Sequence, residues 1–335
     1  MKITEMTTLL NKSSFIYKKR IKLFGMPILV CFLLFNASFC YAQDPIFSQF
    51  YAAPIYLNPA FTGSHNGHRT VMNVRSHPLP DVNNISTFNF SFDSMIPALY
   101  GGVGFFATSD YIGNMLWGNT LGLTYAYHLQ LNRDWFVNFG AQAGYYRRDI
   151  RWSRLIFAAP GQAPPSQDWK HALDFATGLL IYNDRFYGGL AFHHLNQPTI
   201  GLFENDHRLM LKHTLHVGMY FNLDSPGRIY TQSSNYYISP NIIFQIQDPF
   251  IRINYGAYVG LDRVVTGAWL RQDLSNSNTL VFLLGLKMER IQIGYSYDHS
   301  FSGFTDVRHS VHEISLTWLL DRDDRTRMIP RCPCF

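Results

Sequence analysis

The sequence predicts an all-β protein, a transmembrane antiparallel β-barrel of about 14 strands with an aromatic, proline-rich N-terminal segment packed on or in it. Three observations predict it. Long stretches alternate apolar and polar residues with period two, so that alternate side chains face opposite sides of a strand. These stretches run about nine residues or more, the length that crosses a bilayer at a tilt. Beyond the first residues no apolar run reaches the roughly 18 residues of a membrane-spanning helix.

The chain opens with an export leader over residues 1–42. Lys18, Lys19, Arg20 and Lys22 form a basic region, Ile28–Phe39 an apolar stretch too short for a permanent anchor, and Cys40-Tyr41-Ala42 a small-residue site for cleavage before Gln43. The leader holds six Lys/Arg and one acid; taking these from totals of 28 and 23 leaves 22 of each sign. The apparent basicity therefore belongs to the leader, and no nucleic-acid partner is expected. Cys31 and Cys40 leave with it. Cys332 and Cys334 remain, too few for a disulfide framework; they could pair with each other, pair with a partner chain, or sit in an inert exposed tail.

Residues 43–68 form the second segment. Gln43–Gly63 reads QDPIFSQFYAAPIYLNPAFTG, with five aromatics (Phe47, Phe50, Tyr51, Tyr56, Phe61), three prolines (Pro45, Pro54, Pro59) and a single charge, Asp44. The prolines forbid a long regular helix and the aromatics call for burial, so the segment must dock on the remainder of the chain. Asp44, Pro45, Phe47, Gln49, Phe50, Tyr51, Tyr56, Asn58 and Pro59 are the candidate plug or partner-binding residues, with Phe47, Phe50, Tyr51 and Tyr56 expected to be mostly buried.

Residues 69–320 carry the barrel. Leu121, Leu123, Tyr125, Tyr127 and Leu129 alternate with Gly122, Thr124, Ala126 and His128, and comparable patterns recur to Ile314, Leu316, Trp318 and Leu320. The apolar face, with its Trp and Tyr, suits lipid and the interfacial girdles; the Gly- and Asn-rich face suits a lumen. Lumenal charges are expected to be few: Lys212, Arg252, Lys287 and Glu313. Tight turns fall at Leu131–Arg133, Asn183-Asp184 and Met288–Arg290. Longer, extracellular loops are expected at Arg151–His171, Asn196–Leu209, Asp224–Asn235 and Ser300–His309. Trp152 and Trp169, in the first of these, are candidate surface contacts that fold over the mouth. Residues 321–335 form a charged tail that leaves the membrane and is read as solvated.

Catalytic and metal motifs are missing, and no cofactor is expected. His65/His68 and His193-His194 lack Cys or carboxylate partners at ligand spacing, and adjacent strand residues such as His193 and His194 should face opposite ways. Gly101–Gly104 has no Lys-Ser/Thr behind it, and no G-x-S-x-G occurs. Ser310, His312 and Glu313 lie close on one strand, but Ser310 and His312 fall on its lipid-facing side.

Several blocks resemble the PorP/SprF family of type IX secretion system membrane proteins. They include Gln43-Asp44-Pro45, Phe47-Ser48-Gln49-Phe50, Tyr56-Leu57-Asn58-Pro59-Ala60 and Thr62-Gly63. Others are Gly102–Gly113, Arg151–Phe157, Asp174–Gly178, His194–Pro198, Gly267–Arg271, Gly294–Asp298 and His312–Leu316. Two departures are Ser310-Val311, where the family usually has Gly-Ser, and the C-x-C tail. The resemblance implies a non-enzymatic outer-membrane barrel of type IX secretion, linked in some members to gliding motility. Its implied partner is a large secreted adhesin, exported or held at the surface through its C-terminal domain, with other secretion components and outer-membrane lipid also in contact. The alternatives are a passive porin or transport channel and a barrel-embedded lipid hydrolase.

Overall fold

The computed structural model describes residues 44–65, 67–78, 84–113, 115–154, 168–201, 208–224, 236–274, 277–302, 310–321 and 332. The strands are β1 Gly67–His77, β2 Ile85–Ile96, β3 Gly101–Ile112, β4 Leu116–Gln130, β5 Phe136–Ile150, β6 Trp169–Tyr182, β7 Phe186–His193, β8 Lys212–Met219, β9 Phe221–Asn222, β10 Tyr236–Gln247, β11 Phe250–Leu261, β12 Val264–Asp273, β13 Ser277–Lys287, β14 Ile291–Ser302 and β15 Ser310–Asp321. Neighbours pair antiparallel in an up-and-down order, and β1 pairs with β15, so the sheet closes on itself and has no free edge.

β8 and β9 are one stave. Gly218 faces Asn241 and Phe221 faces Ile238, the same register on either side of a gap. The gap lies opposite Ser239-Pro240. Proline has no N–H to give the ladder, which interrupts the pairing there. Counting the two as one leaves fourteen staves from fifteen strands.

The alternation has the physical meaning expected of it. On β4, Leu121, Leu123 and Tyr127 stand exposed on the outer wall while Thr124, Ala126 and His128 are buried inside. Trp318 and Tyr127 mark one end of the outer wall, Tyr145 and Trp169 the other, as interfacial aromatics do. No helix among the described residues is long and apolar enough to cross a membrane; the strands make the crossing.

Connections at the end where β1 starts and β15 stops are mostly short: residues 97–100, 131–135, 183–185, 262–263 and 288–290. The other end carries residues 151–168 and 194–211. Short turns face the periplasm in such barrels and long loops the exterior, which defines an inner and an outer mouth. One expectation is overturned by this parity. Residues 223–235 follow an even number of crossings and join two strand ends at the inner mouth, so Asp224–Asn235 is not an extracellular loop. Most of the Ser300–His309 loop, residues 303–309, lies outside the described residues.

Leu123, 67% exposed at mid-height on β4, sits in the lipid layer. Leu123→Arg should lower stability by about 2–4 kcal/mol in urea unfolding from vesicles, the cost of a cation at the midplane.

Candidate functional site: a segment folded inside the barrel

The N-terminal segment folds as three short turns, Phe50–Ala52, Pro54–Leu57 and Pro59–Phe61. Pro54 and Pro59 each open a turn, where a missing N–H costs nothing. The Asn58 side chain caps the last turn, accepting from the Ala60 N–H at 2.9 Å. Phe47, Phe50, Ile55, Leu57 and Phe61 are buried, worth about 1.5–3 kcal/mol each. Tyr51 and Tyr56 are half-buried. Pro54 and Pro59 are buried and Pro45 is half-buried. Phe50 packs on Trp269 of β12 and Tyr51 on Tyr258 of β11, so the segment lies in the lumen.

Its first described residue is held at the outer mouth. Asp44 Oδ2 accepts from Lys212 Nζ at 3.2 Å and lies 2.9 Å from His194 Nε2. His194 Nδ1 in turn lies 3.0 Å from Asp174 Oδ2. Lys212 also sits 5.1 Å over the Tyr56 ring, whose hydroxyl donates to the Pro45 carbonyl at 2.6 Å. Burial alone would raise the Asp44 carboxyl, but His194 and Lys212 outweigh it and hold it far below the usual range. For His194, burial opposes the charge, yet Asp44 and Asp174 raise it to about 10, so it is an imidazolium between two carboxylates.

The adjacent contacts form a denser cluster. The Ser48 and Gln49 N–H groups donate to the Glu313 carboxylate at 2.7 and 3.2 Å. Ser48 Oγ donates to Asp298 at 2.6 Å and accepts from Arg75 at 2.7 Å and Arg271 at 2.8 Å. Asp298 also receives Arg75 at 3.0 Å and Arg271 at 3.2 Å. Gln49 Nε2 donates to the Glu313 carbonyl at 2.9 Å, and its Oε1 accepts from Tyr51 and Ser315. Four wall charges thus close around two residues of the segment. Of these, the sequence pattern places only Glu313 on the lumenal face. Arg75, Arg271 and Asp298 correct the expectation of a charge-poor lumen, as do Arg69 and Asp93.

Lower down, Asn58 Nδ2 reaches the Leu179 and Leu190 carbonyls at 3.1 and 3.2 Å and lies 3.0 Å from His216 Nε2. At the inner mouth Arg69 and Asp93, opposite each other on β1 and β2, form a two-pronged pair at 2.9 and 3.0 Å. Arg69 also donates to the Phe61 carbonyl at 3.1 Å, and Asp93 accepts from the Gly63 N–H at 2.7 Å. Gly63 has φ +72°, and a Cβ on Gly102 would overlap the Thr62 carbonyl and Gly63 itself. The Gly101–Gly104 cluster is therefore a seat for the chain's own backbone. Gly140 plays the same part under Pro59-Ala60.

The other singled-out residues separate clearly. Trp152 is buried in a turn past β5. Trp169 is not part of a loop: β6 begins with it, and it faces outward under Arg147 at 5.4 Å. His193 and His194 do not face opposite ways. β7 ends at His193, and His194 has φ +60°, which turns both inward; His193 lies 3.3 Å from the Leu57 carbonyl. His312 faces out, beside Tyr295 at 2.8 Å, whereas Glu313 faces in. No His/Cys/Asp/Glu group among the described residues could hold a metal. Cys332 is buried and disulfide-bonded, and its N–H donates to the Ser64 carbonyl at 3.4 Å, so the exposed-tail reading fails at that residue. Against β10–β14 the segment leaves an open space of about 600 Å³ at the inner mouth, lined by Tyr51, Tyr220, Tyr237 and Tyr258 with Lys287.

The profile of one family, described as type IX secretion system membrane protein PorP/SprF, matches residues 39–318. The chain belongs to the PorP/SprF family. No curated protein matches it. Among solved structures, the CymD monoaromatic hydrocarbon channel is similar at 11% identity and TM-score 0.49, over 84% of this chain and 95% of that one. The Pseudomonas putida toluene transporter TodX is similar at 8% and 0.47, over 79% and 93%. Omp33 of Acinetobacter baumannii is similar at 9% and 0.44, over 77% and 100%. Type IX membership and the closed barrel together make this PorP/SprF protein an outer-membrane protein.

Two predictions test the seat. Asp298→Ala strands Arg75 and Arg271 inside the wall and should cost about 3–5 kcal/mol, read as a lower midpoint of the folded-to-unfolded gel shift. The second concerns pH. The stabilisation from Asp44 is complete above its ordinary value of 3.8 and is lost as pH falls below it. That from His194 is complete below its ordinary 6.5 and is lost as pH rises towards about 10. Asp174, Lys212, His193 and Tyr56 are the other titratable groups around this pair. Proteolysis of the segment should accelerate from neutral pH to 10, and His194→Ala should flatten that rise.

Proposed function

We propose that this PorP/SprF protein is a non-enzymatic, plugged barrel that binds a large secreted adhesin-type protein through its C-terminal domain and anchors it or helps its export. Residues 1–42 act as the export leader in this reading. One observation supports it above the others: the lumen is occupied by a segment bonded to the wall at both mouths and between them. A passive channel needs an open, charge-lined path. Here the wall charges Arg75, Arg271, Asp298 and Glu313 are engaged by Ser48 and Gln49. That leaves the rims, not the bore, for contact with a partner.

Two measurements test this. Purified protein in a planar bilayer should stay closed, and large steady conductance with the segment intact would remove the plugged-anchor reading. Gentle extraction from the native membrane should bring down one large secreted protein whose recovery depends on its C-terminal domain. A barrel recovered alone under cross-linking would count against the partner.

A further inference from the structure

The direction in which the segment runs has a topological consequence. Its carboxyl end must be at the inner mouth, because β1 begins there; Gly63 is bonded to Asp93 and packed on Gly102. Its amino end is at the other mouth. Asp44 is tied to His194, one residue past the outer end of β7, and to Lys212, the first residue of β8 on the outer side. The Asp44 N–H also points to Gln247, the outer last residue of β10, at 3.5 Å. Three staves thus agree on the level of Asp44. The chain between the two ends doubles back once. It drops to Tyr51 against Tyr258, rises to Leu57 beside His193, and drops again to Asn138, where Ala60 is bound at 3.2 Å. Asp44, Pro45 and Ile46 are half-buried, with the Asp44 side chain 14% exposed, while Phe47–Phe50 are buried.

We propose that the segment is threaded so that its amino end is presented to the cell exterior, and that it seats only after the leader has been cut off. Whatever is joined to the amino side of Asp44 has to leave by the outer mouth. A leader engaged at the inner membrane, on the opposite side, cannot do so. The required step is hydrolysis of the Ala42–Gln43 amide by a leader peptidase: one water is consumed, Ala42 gains a carboxylate and Gln43 a free amine. That short polar end can then rise through the lumen from the inner side, and Asp44 meets the His194–Lys212 pair. The latch therefore reads out completed processing, and it holds Asp44 at the outer ends of β7, β8 and β10. The cleavage step rests on the leader reading; the threading rests on the contacts alone.

The experiment is a tag-accessibility test in intact cells. An epitope tag is inserted between Gln43 and Asp44 in the full chain with its leader, and a second variant carries the tag in the inner turn at residues 131–135. A third variant, Pro45→Cys with Cys332→Ser and Cys334→Ser, is labelled with a membrane-impermeant maleimide in case the insertion disturbs folding. Gel-shifted, folded protein is scored in each. Threading predicts equal signal before and after permeabilisation for the tag at residue 43 and for Pro45→Cys, and signal only after permeabilisation for the turn tag. A residue-43 tag and Pro45→Cys both detected only after permeabilisation would overturn it. Ala42→Leu, which blocks cleavage, should yield a chain whose 44–63 region stays protease-sensitive. An uncleaved chain with that region protected overturns the ordering of the two steps. Mass spectrometry of the mature amino end separates the cases: a mature chain retaining residues 1–42 sinks the leader step, while the tag result still decides the threading. No arm involves a secreted partner, so failure of the anchoring reading cannot be confused with failure here.

Discussion

The constraint on which the rest depends is that the lumenal wall carries buried charges whose hydrogen bonding it cannot complete alone. Glu313 and Asp298 are essentially sealed from solvent, and Arg75 and Arg271 lie beside them. A buried charge without partners costs several kcal/mol. The two arginines and two acids balance in sign, but the geometry is completed only by Ser48 Oγ and by two backbone N–H groups of the segment. The segment is therefore part of the barrel's electrostatic closure, in the way a fully satisfied polar network specifies a single arrangement. The apolar seats of Phe50 and Phe61 supply burial; the charges supply register.

The same arrangement divides the lumen. On the side of β2–β7 the segment is in direct contact with the wall, through Gly102, Gly140 and the Asn58 amide. On the side of β10–β14 it also touches the wall, through Phe50 on Trp269, Tyr51 on Tyr258 and Ser48 on Asp298, but toward the inner mouth it leaves the tyrosine-lined space. The roomier part of the lumen therefore lies beside the inner ends of β9 and β10, which residues 223–235 join.

Much of this is legible in the residues. Strand period, strand length and the girdle aromatics follow from local chemistry, and the alternation places all fourteen staves nearly where they occur. Burial of Phe47 and Phe50 follows from aromatics in a segment with one charge. What cannot be read is pairing. Arg69 and Asp93 are 24 positions apart, and only the β1–β2 register makes them face each other. Strict alternation applied to Arg69, Arg75, Asp298 and Glu313 would show the charge cluster in outline. His194 and Trp169 escape it for a local reason: both sit at strand ends, one just outside β7 and one the first residue of β6, where alternation stops being informative. The 223–235 connection is misplaced by its length, because length does not determine side; the number of preceding crossings does.

Closure of the cylinder joins β1 to β15, strands close to opposite ends of the sequence. The bond from Ser48 to Glu313 spans 265 positions, and that from Asp44 to Lys212 spans 168. Contacts this distant in sequence form only after much of the chain has been ordered, because loop-closure entropy must be overcome first. The open hairpin stack that precedes closure exposes Arg75, Asp298 and Glu313 to water, where they are well solvated. Sealing the β1–β15 seam and filling the bore thus become a single late and cooperative event. Until it happens, β1 and β15 are unpaired edges, the kind of edge that other chains can join.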